Sequence, residues 1–568
     1  MTEHLDLSVI EKDLCREGLE PVGGPAWLRE SHDKPASFWR ALMAAHDPLL
    51  PWPKKSIPLE KYNFYHDIVI RNQRSTAPAF RWYDPVLGRQ EASYPELGAM
   101  AGRTAAHWAR SGVARGQKLC LVYPMGIHFV VALVAALKLG LIISVLPPQG
   151  RGFLKRRLEA LEPDHIAIER FHHSLIPEWL KCAIPEERAA DGTEAVVDRS
   201  HTYPSGVTLA LCFDPCREEF LEPWELTSDA AYLCSLRDGL IALGLRPGYA
   251  FAAPGFHFLE AQPAMLLACL LNGATYVHLE PEQIEKNPEL LSASPLRSVG
   301  ICTRVREILL EHPLDVSKSW THWFRNPAES SDIEVWQLFI EAMGLQEVYA
   351  GNRRWNASLG GCLLFSVSRK GRPTVNVLPS AGVRWSLTDP VAGEAGLAGD
   401  MGVFSPVEIK QEEPKGFPSP DMIARGRGEW IYIGPRHSGR GGRVYPLDEV
   451  IEAVRTVPRC ARVTMAAAPV LGGGAGRAFV LLIFSGDGLS PDQAGLCKAI
   501  EGAISREMGG EYMPDRIQFF PLFPRRDEEG AMDHDWCRSQ YLTGGLSRKS
   551  RGEVYQCLNR LRGYVFMD

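Results

Sequence analysis

The chain predicts a mixed α/β protein built on parallel sheets, and three observations carry that prediction. Continuous apolar strands flank an apolar helix between Leu119 and Leu146. The same pattern returns further along, with Gly112 answered by Gly244, an offset of 244 − 112 = 132 residues. The last third of the chain reads as a separate, smaller α+β domain. The expected architecture is a large N-terminal region of two similar βαβ-containing subdomains plus a β-rich subdomain, followed by a small α+β C-terminal domain. At 568 residues the chain exceeds what one core organises.

Residues 1–75 contain Pro, Trp and short helical patterns, and we read them as a wrapping segment. Asn63 to Ile70 fits either a short strand or a short helix. Residues 76–427 form the expected large domain. Within it, Leu119 to Tyr123 reads as a buried strand and Phe129 to Leu139 as a buried helix stopped by Gly140. Leu141 to Leu146 is the next strand, ended by Pro147-Pro148. Apolar runs on every side imply strands covered on both faces.

The second half matches the first. GVARGQKL leads to ALVAALKLGLIISVLPP, and GLRPGYAF leads to AMLLACLLNGATYVHLEP. Both halves share a Gly-x-x-x-Gly lead-in, at 112/116 and 244/248. Two pseudo-equivalent subdomains packed face to face are expected. Short strands broken by Gly and Pro at 360–410 predict the β-rich part. The Pro- and Gly-containing stretch from Glu412 to Gly428 reads as a linker. Residues 428–568 then form the small domain and tail, with a strand at Phe479 to Phe484 and a helix from Pro491 to Met508.

Apolar content of 45% and charged content of 23% are globular values. A formal net charge of −6 argues against nucleic-acid binding. The longest apolar stretch, Leu119 to Leu137, is broken by Pro124 and Gly126, so no membrane span is expected. An odd count of 13 cysteines and a charged N-terminus favour a cytoplasmic setting. Cys212 and Cys216 lack the second Cys/His pair that a zinc site needs. His172, His173 and His322 read as surface or packing residues. Gly439 to Arg443, GRGGR, is a solvated loop before it is a phosphate site. Asp533, His534, Asp535 and Cys537 resemble a nucleophile cluster, but no oxyanion donor is identifiable beside them. Gly472 to Gly474 reads as a hairpin connection.

Two blocks are more specific. YPELGAMAGRTAAHWARSGVARGQKLCLVYPMG followed by ALKLGLIISVLPP resembles the N-terminal signature of the adenylate-forming superfamily, which comprises acyl-CoA synthetases, luciferases and peptide-synthetase adenylation domains. GGRVYPLDEVIEAVRTVP resembles that family's C-terminal-domain motif, with Glu449 and Glu452 on its helix. The likeness covers most of residues 76–545. It implies an AMP-dependent ligase-like protein. It also assigns residues: His257 beside an acyl pocket, Tyr349 and Gly351 in a substrate-binding motif, Asp400 or Asp421 at the ribose, with Asp400 the better verbal match, and Arg436 near the nucleotide.

The ATP motifs depart from the family's chemistry. A Gly-rich phosphate loop is expected where the chain reads LCFDPCREEFLEPWELT, Leu211 to Thr227. No glycine lies between Gly206 and Gly239, and Asp214, Glu218, Glu219, Glu222 and Glu225 face one Arg217. Acids beside a polyanion repel it. The motif whose glutamate holds magnesium reads VYAGNRRWN, with Arg353 and Arg354 in place of an acid. Ala531 stands at the catalytic lysine, so no catalytic residue is assigned. The hinge from Gly434 to Gly441 is short. The leading expectation is impaired adenylation, with binding of an acyl or aryl group or an acyl thioester. CoA or a carrier-protein thioester is the implied ligand, and a carrier or biosynthetic protein the implied partner. One alternative is an active ligase using ATP and Mg, with Arg353, Arg354 or Arg217 replacing the lost charges. Another is a non-catalytic scaffold.

Overall fold

The two halves of the repeat close with the same backbone hydrogen bonds. In the first, the strand Lys118–Val122, the helix Ile127–Leu139 and the strand Ile142–Leu146 form a parallel crossover. In the second, Ala250–Ala252, Gln262–Leu271 and Thr275–Val277 do the same. Gly116 N–H donates to Gly140 C=O at 2.9 Å, and Gly248 N–H to Gly273 C=O at 2.9 Å. Each helix ends with a bond back to its last turn, Leu141 to Ala136 at 3.2 Å and Ala274 to Cys269 at 3.1 Å. That closure needs left-handed backbone, and Gly140 and Gly273 have φ of +79° and +65°. The paired lead-in glycines, 112/116 and 244/248, also have positive φ.

The computed structural model describes residues 10, 26–46, 61–176, 184, 199–316, 318–329, 332–366, 368–388, 398–404, 416–426, 429–435, 439–469, 477–485, 492–549 and 554–556. The chain divides into two compact units. The first is Met1–Pro147, Leu161–Arg170 and Lys181–Arg436, and the second is Pro148–Ala160, Phe171–Leu180 and His437–Asp568.

In the first unit, one half of the repeat lies in a five-stranded sheet and the other in a ten-stranded sheet. The ten-stranded sheet has parallel neighbours from Pro78–Asp84 through Thr275–Val277, Ala250–Ala252, Leu296–Gly300 and His322–Arg325 to Tyr349–Asn356. A single apolar core spans both halves, from Phe129 and Val134 to Met265 and Leu270. Among the described residues before 76 are the helices Ala26–Asp33 and Pro35–His46. Trp39 is fully buried there and its indole N–H reaches Gly382 C=O at 3.1 Å. His66–Ile70 is helical, which decides the strand-or-helix alternative.

The linker reading from Glu412 to Gly428 needs correction. Gly416–Gly426 is a strand, and it pairs antiparallel with both Ala398–Phe404 and Glu429–Pro435. Pro and Gly suggest a break, but ladder partners on both sides override that weak local signal. Ile423, fully buried, anchors the strand in a small core with Leu359 and Leu363.

The second unit carries a four-stranded sheet, in which Arg477–Phe484 pairs with Val463–Pro469 and Arg516–Phe520. Gly472 to Gly474 lie outside the described residues. The two motif glutamates anchor segment 148–160 within this unit. Glu449 takes a fork of two bonds from the buried Arg157, at 3.0 and 3.3 Å, and Glu452 pairs with Arg156. The GRGGR stretch is a tight hairpin with Gly441 and Gly442 at φ +58° and +81°. Arg440 is spent on Met513 C=O at 2.7 Å and Asp515 at 2.8 Å. Asp533 caps the helix His534–Leu542 through Trp536 N–H, and Cys537 is buried, so that cluster is a helix start. Among the described residues, no helix is long and apolar enough to cross a membrane.

The repeat's helix stops can be tested by substitution. A Cβ at Gly140 would be driven into the His201 imidazole, whereas one at Gly112 would meet nothing. Gly140→Ala should therefore cost about 3 kcal/mol in urea unfolding, and Gly112→Ala only about 1 kcal/mol for its backbone. Separately, burial and the neighbouring Arg353 push the His322 pKa well below its usual value. The unfolded chain then binds more protons below pH of about 6.5, so stability is complete above that pH and falls beneath it. Between pH 7 and 5.5, the wild type should lose about 1 kcal/mol more than His322→Gln.

Candidate functional site

Several carboxyl ends of the parallel strands in the first unit converge on one buried charge cluster. Arg354, near the end of Tyr349–Asn356, is fully buried. Its Nε donates to both oxygens of Asp421, at 2.9 and 3.1 Å. Its Nη1 donates to Glu260 Oε1, and its Nη2 lies 3.3 Å from Cys216 Sγ. Glu260 comes from the loop after Ala250–Ala252, and Asn326, just past His322–Arg325, donates to the same oxygen at 3.2 Å. Asp421, on Gly416–Gly426, also accepts from Tyr432 at 2.7 Å and Ser419 at 3.1 Å. Ligands gather at such strand ends in open α/β sheets.

Burial alone would lower the Arg354 pKa. Asp421, and after it Cys216 and Glu260, outweigh that and hold the guanidinium charged. Burial pushes the Cys216 thiol well above its usual range, so it stays protonated and a poor nucleophile. Cys212 is pushed up to about 12 by burial and by Asp214.

Beside this cluster lies an apolar cavity of about 90 Å³. The two crossover helices of the repeat face each other across it, through Leu133 and Leu137 on one side and Ala264 and Leu267 on the other. Ile143 and Leu209 close it from the five-stranded sheet. Among the described residues that line it, Glu260 is the only carboxylate, lysine, arginine or histidine.

The Leu211 to Thr227 segment is a hairpin. Thr208–Cys212 pairs antiparallel with Trp224–Thr227. The connecting stretch begins buried, with Phe213, Asp214 and Cys216 inside. Asp214 accepts from Ser358 Oγ at 2.6 Å and Asn356 Nδ2 at 3.0 Å. Glu225 bonds Thr208. Of the five acids only Asp214 turns inward; Glu218, Glu219, Glu222 and Glu225 remain exposed. Arg217 pairs with Glu219 at 3.3 Å and lies over Trp224.

Of the residues singled out from sequence, Arg354, Asp421 and Cys216 meet in the cluster. His257 lies in the turn before the second crossover helix, where its Nδ1 accepts from Glu260 N–H at 3.3 Å, and it is not among the cavity-lining residues. Tyr349 opens its strand, five residues ahead of Arg354 and so ~16 Å away along the sheet. Gly351 makes room for Arg353, whose Nη1 would sit 2.8 Å from a Cβ there. Asp400 pairs in register with Met422, next to Asp421. Arg436 lies outside the described residues. Ala531 is exposed in a turn of the second unit, where its N–H donates to Asp527 at 2.8 Å. The proposed substitutes for lost charge are committed elsewhere. Arg353 donates to Ala242 C=O at 2.6 Å and Ser366 C=O at 3.0 Å, and Arg354 is held as above. Sequence reasoning missed Glu260. Its signal was an acid set in the apolar run FHFLEAQPAMLL, just past a parallel strand.

No family model and no curated protein sequence matches the chain. Solved structures do. An o-succinylbenzoate CoA synthetase from Bacillus subtilis, a double mutant bound to a product analogue, superposes with a TM-score of 0.65 at 12% identity, covering 87% of this chain and 99% of that one. A fatty acyl-adenylate ligase from L. pneumophila, in complex with acyl adenylate and pyrophosphate, gives 0.60 at 14% identity, covering 84% and 96%. At such identities the likeness speaks to architecture, and this chain has the fold of the adenylate-forming ligases.

Proposed function

We propose that this chain binds a short acyl group or acyl thioester in the apolar cavity without forming an acyl-adenylate. One observation carries the reading. Arg354 stands in the motif whose glutamate the family resemblance gives to magnesium, and it is bonded to Asp421, a candidate for the ribose. Those positions satisfy each other. A guanidinium there repels a divalent cation, and a carboxylate already holding it has less to offer a hydroxyl. The donor set does not suit a magnesium-nucleotide, so no adenylation step is derived.

The cavity supports the other half of the reading. Its walls are mostly Leu, Ile, Val, Phe and Ala side chains from both halves of the repeat. A dry apolar cavity of ~150 Å³ accepts benzene. This smaller one suits a chain of a few carbons. Affinity would come from apolar burial, at ~25 cal/mol per Å² removed from water.

Calorimetry with Mg-ATP tests the first half and should show no heat of binding; micromolar affinity would end the reading. Addition of a short acyl thioester should raise the Tm of the full chain. Arg354→Ala strands two buried carboxylates and should cost about 3–5 kcal/mol in urea unfolding. The double variant Arg354→Ala/Asp421→Ala should cost less than the sum of the two single losses, because the pair is coupled.

A further inference from the structure

We infer that the cavity admits only the uncharged part of its ligand, an ester, thioester or hydrocarbon, and excludes a free carboxylate. This rests on the acyl-binding reading and narrows it to a chemical class.

The argument is electrostatic. A carboxylate buried in apolar surroundings needs a cation or several donors. Among the described residues the lining offers neither lysine, arginine nor histidine. Its one charged side chain is Glu260, of the same sign as the incoming group. The guanidinium beyond it, Arg354, divides its donors among Asp421, Glu260 and Cys216. Glu260 also accepts from Asn326. Like charges at close range in a poorly hydrated site are mutually destabilising, and a free acid entering here would meet that repulsion on top of its own desolvation.

A neutral ligand meets none of this. A thioester or ester carbonyl carries no charge to desolvate, and its chain meets apolar walls. The nearby thiols do not attack it, because Cys212 and Cys216 remain protonated at neutral pH.

Ligand-observed saturation-transfer NMR on the full chain tests this with three matched probes: S-ethyl thiobutanoate, methyl butanoate and butanoate, near neutral pH where the acid is ionised. The thioester and the ester should bind, with butanoate at least tenfold weaker, a gap of ~1.4 kcal/mol. Ala264→Phe, which fills the cavity, should abolish binding of both neutral probes. Glu260→Gln should narrow the gap by strengthening butanoate; if that variant fails to fold, the wild-type comparison decides alone. Equal binding of butanoate would overturn the exclusion while leaving acyl binding intact. No binding by any of the probes would overturn both, and neutral-probe binding that survives Ala264→Phe would overturn the assignment to this cavity.

Discussion

The guanidinium of Arg354 is the tie on which this region of the fold depends. It joins the end of one parallel strand to the loop after another through Glu260, and to the antiparallel sheet through Asp421. Taking an arginine out of water is costly, and that cost is offset only where its donors meet acceptors of the right charge and geometry. Here they do. The carboxylates are satisfied in turn by Tyr432, Ser419 and Asn326, so the cluster is a closed network.

That network also explains the shape of the Leu211 to Thr227 hairpin. Asp214 turns inward because Asn356 and Ser358, on and just beyond the Arg354 strand, offer it donors. Cys216 follows it in, and its N–H caps the same carboxylate at 2.9 Å. A loop whose first residues are tied to the core cannot present a row of free amides. Glycine would be wasted there, and none is found between Gly206 and Gly239.

The fold was legible in the sequence because periodicity and glycine placement are local signals with global consequences. The offset repeat, the helix stop at Gly140 and the motif helix with Glu449 all register in the structure as hydrogen bonds or ion pairs. The strand Gly416–Gly426 was not legible, since its stability comes from partners rather than from its own residues. The cluster was half legible. Arg353 and Arg354 stood out as wrong-sign residues, yet nothing local says which one turns toward Asp421 and which toward Ala242. Glu260 was hidden because pairing across 94 residues leaves no pattern in one chain.

The cavity and the cluster are two outcomes of one constraint. Two pseudo-equivalent halves bury their crossover helices against a common core, so the faces that meet must be apolar. Where they fail to fill the space between Leu133 and Leu267, the remaining volume inherits that character. Charge can survive at its edge only if it is paired internally, as Glu260 is with the guanidinium that it shares with Asp421. A site that instead handled an anionic acid and a nucleotide would need cations facing inward. Arg353, Arg354 and Arg217 point their donors at the protein's own acceptors. The same residues that make the interior stable therefore set the polarity of what can enter it.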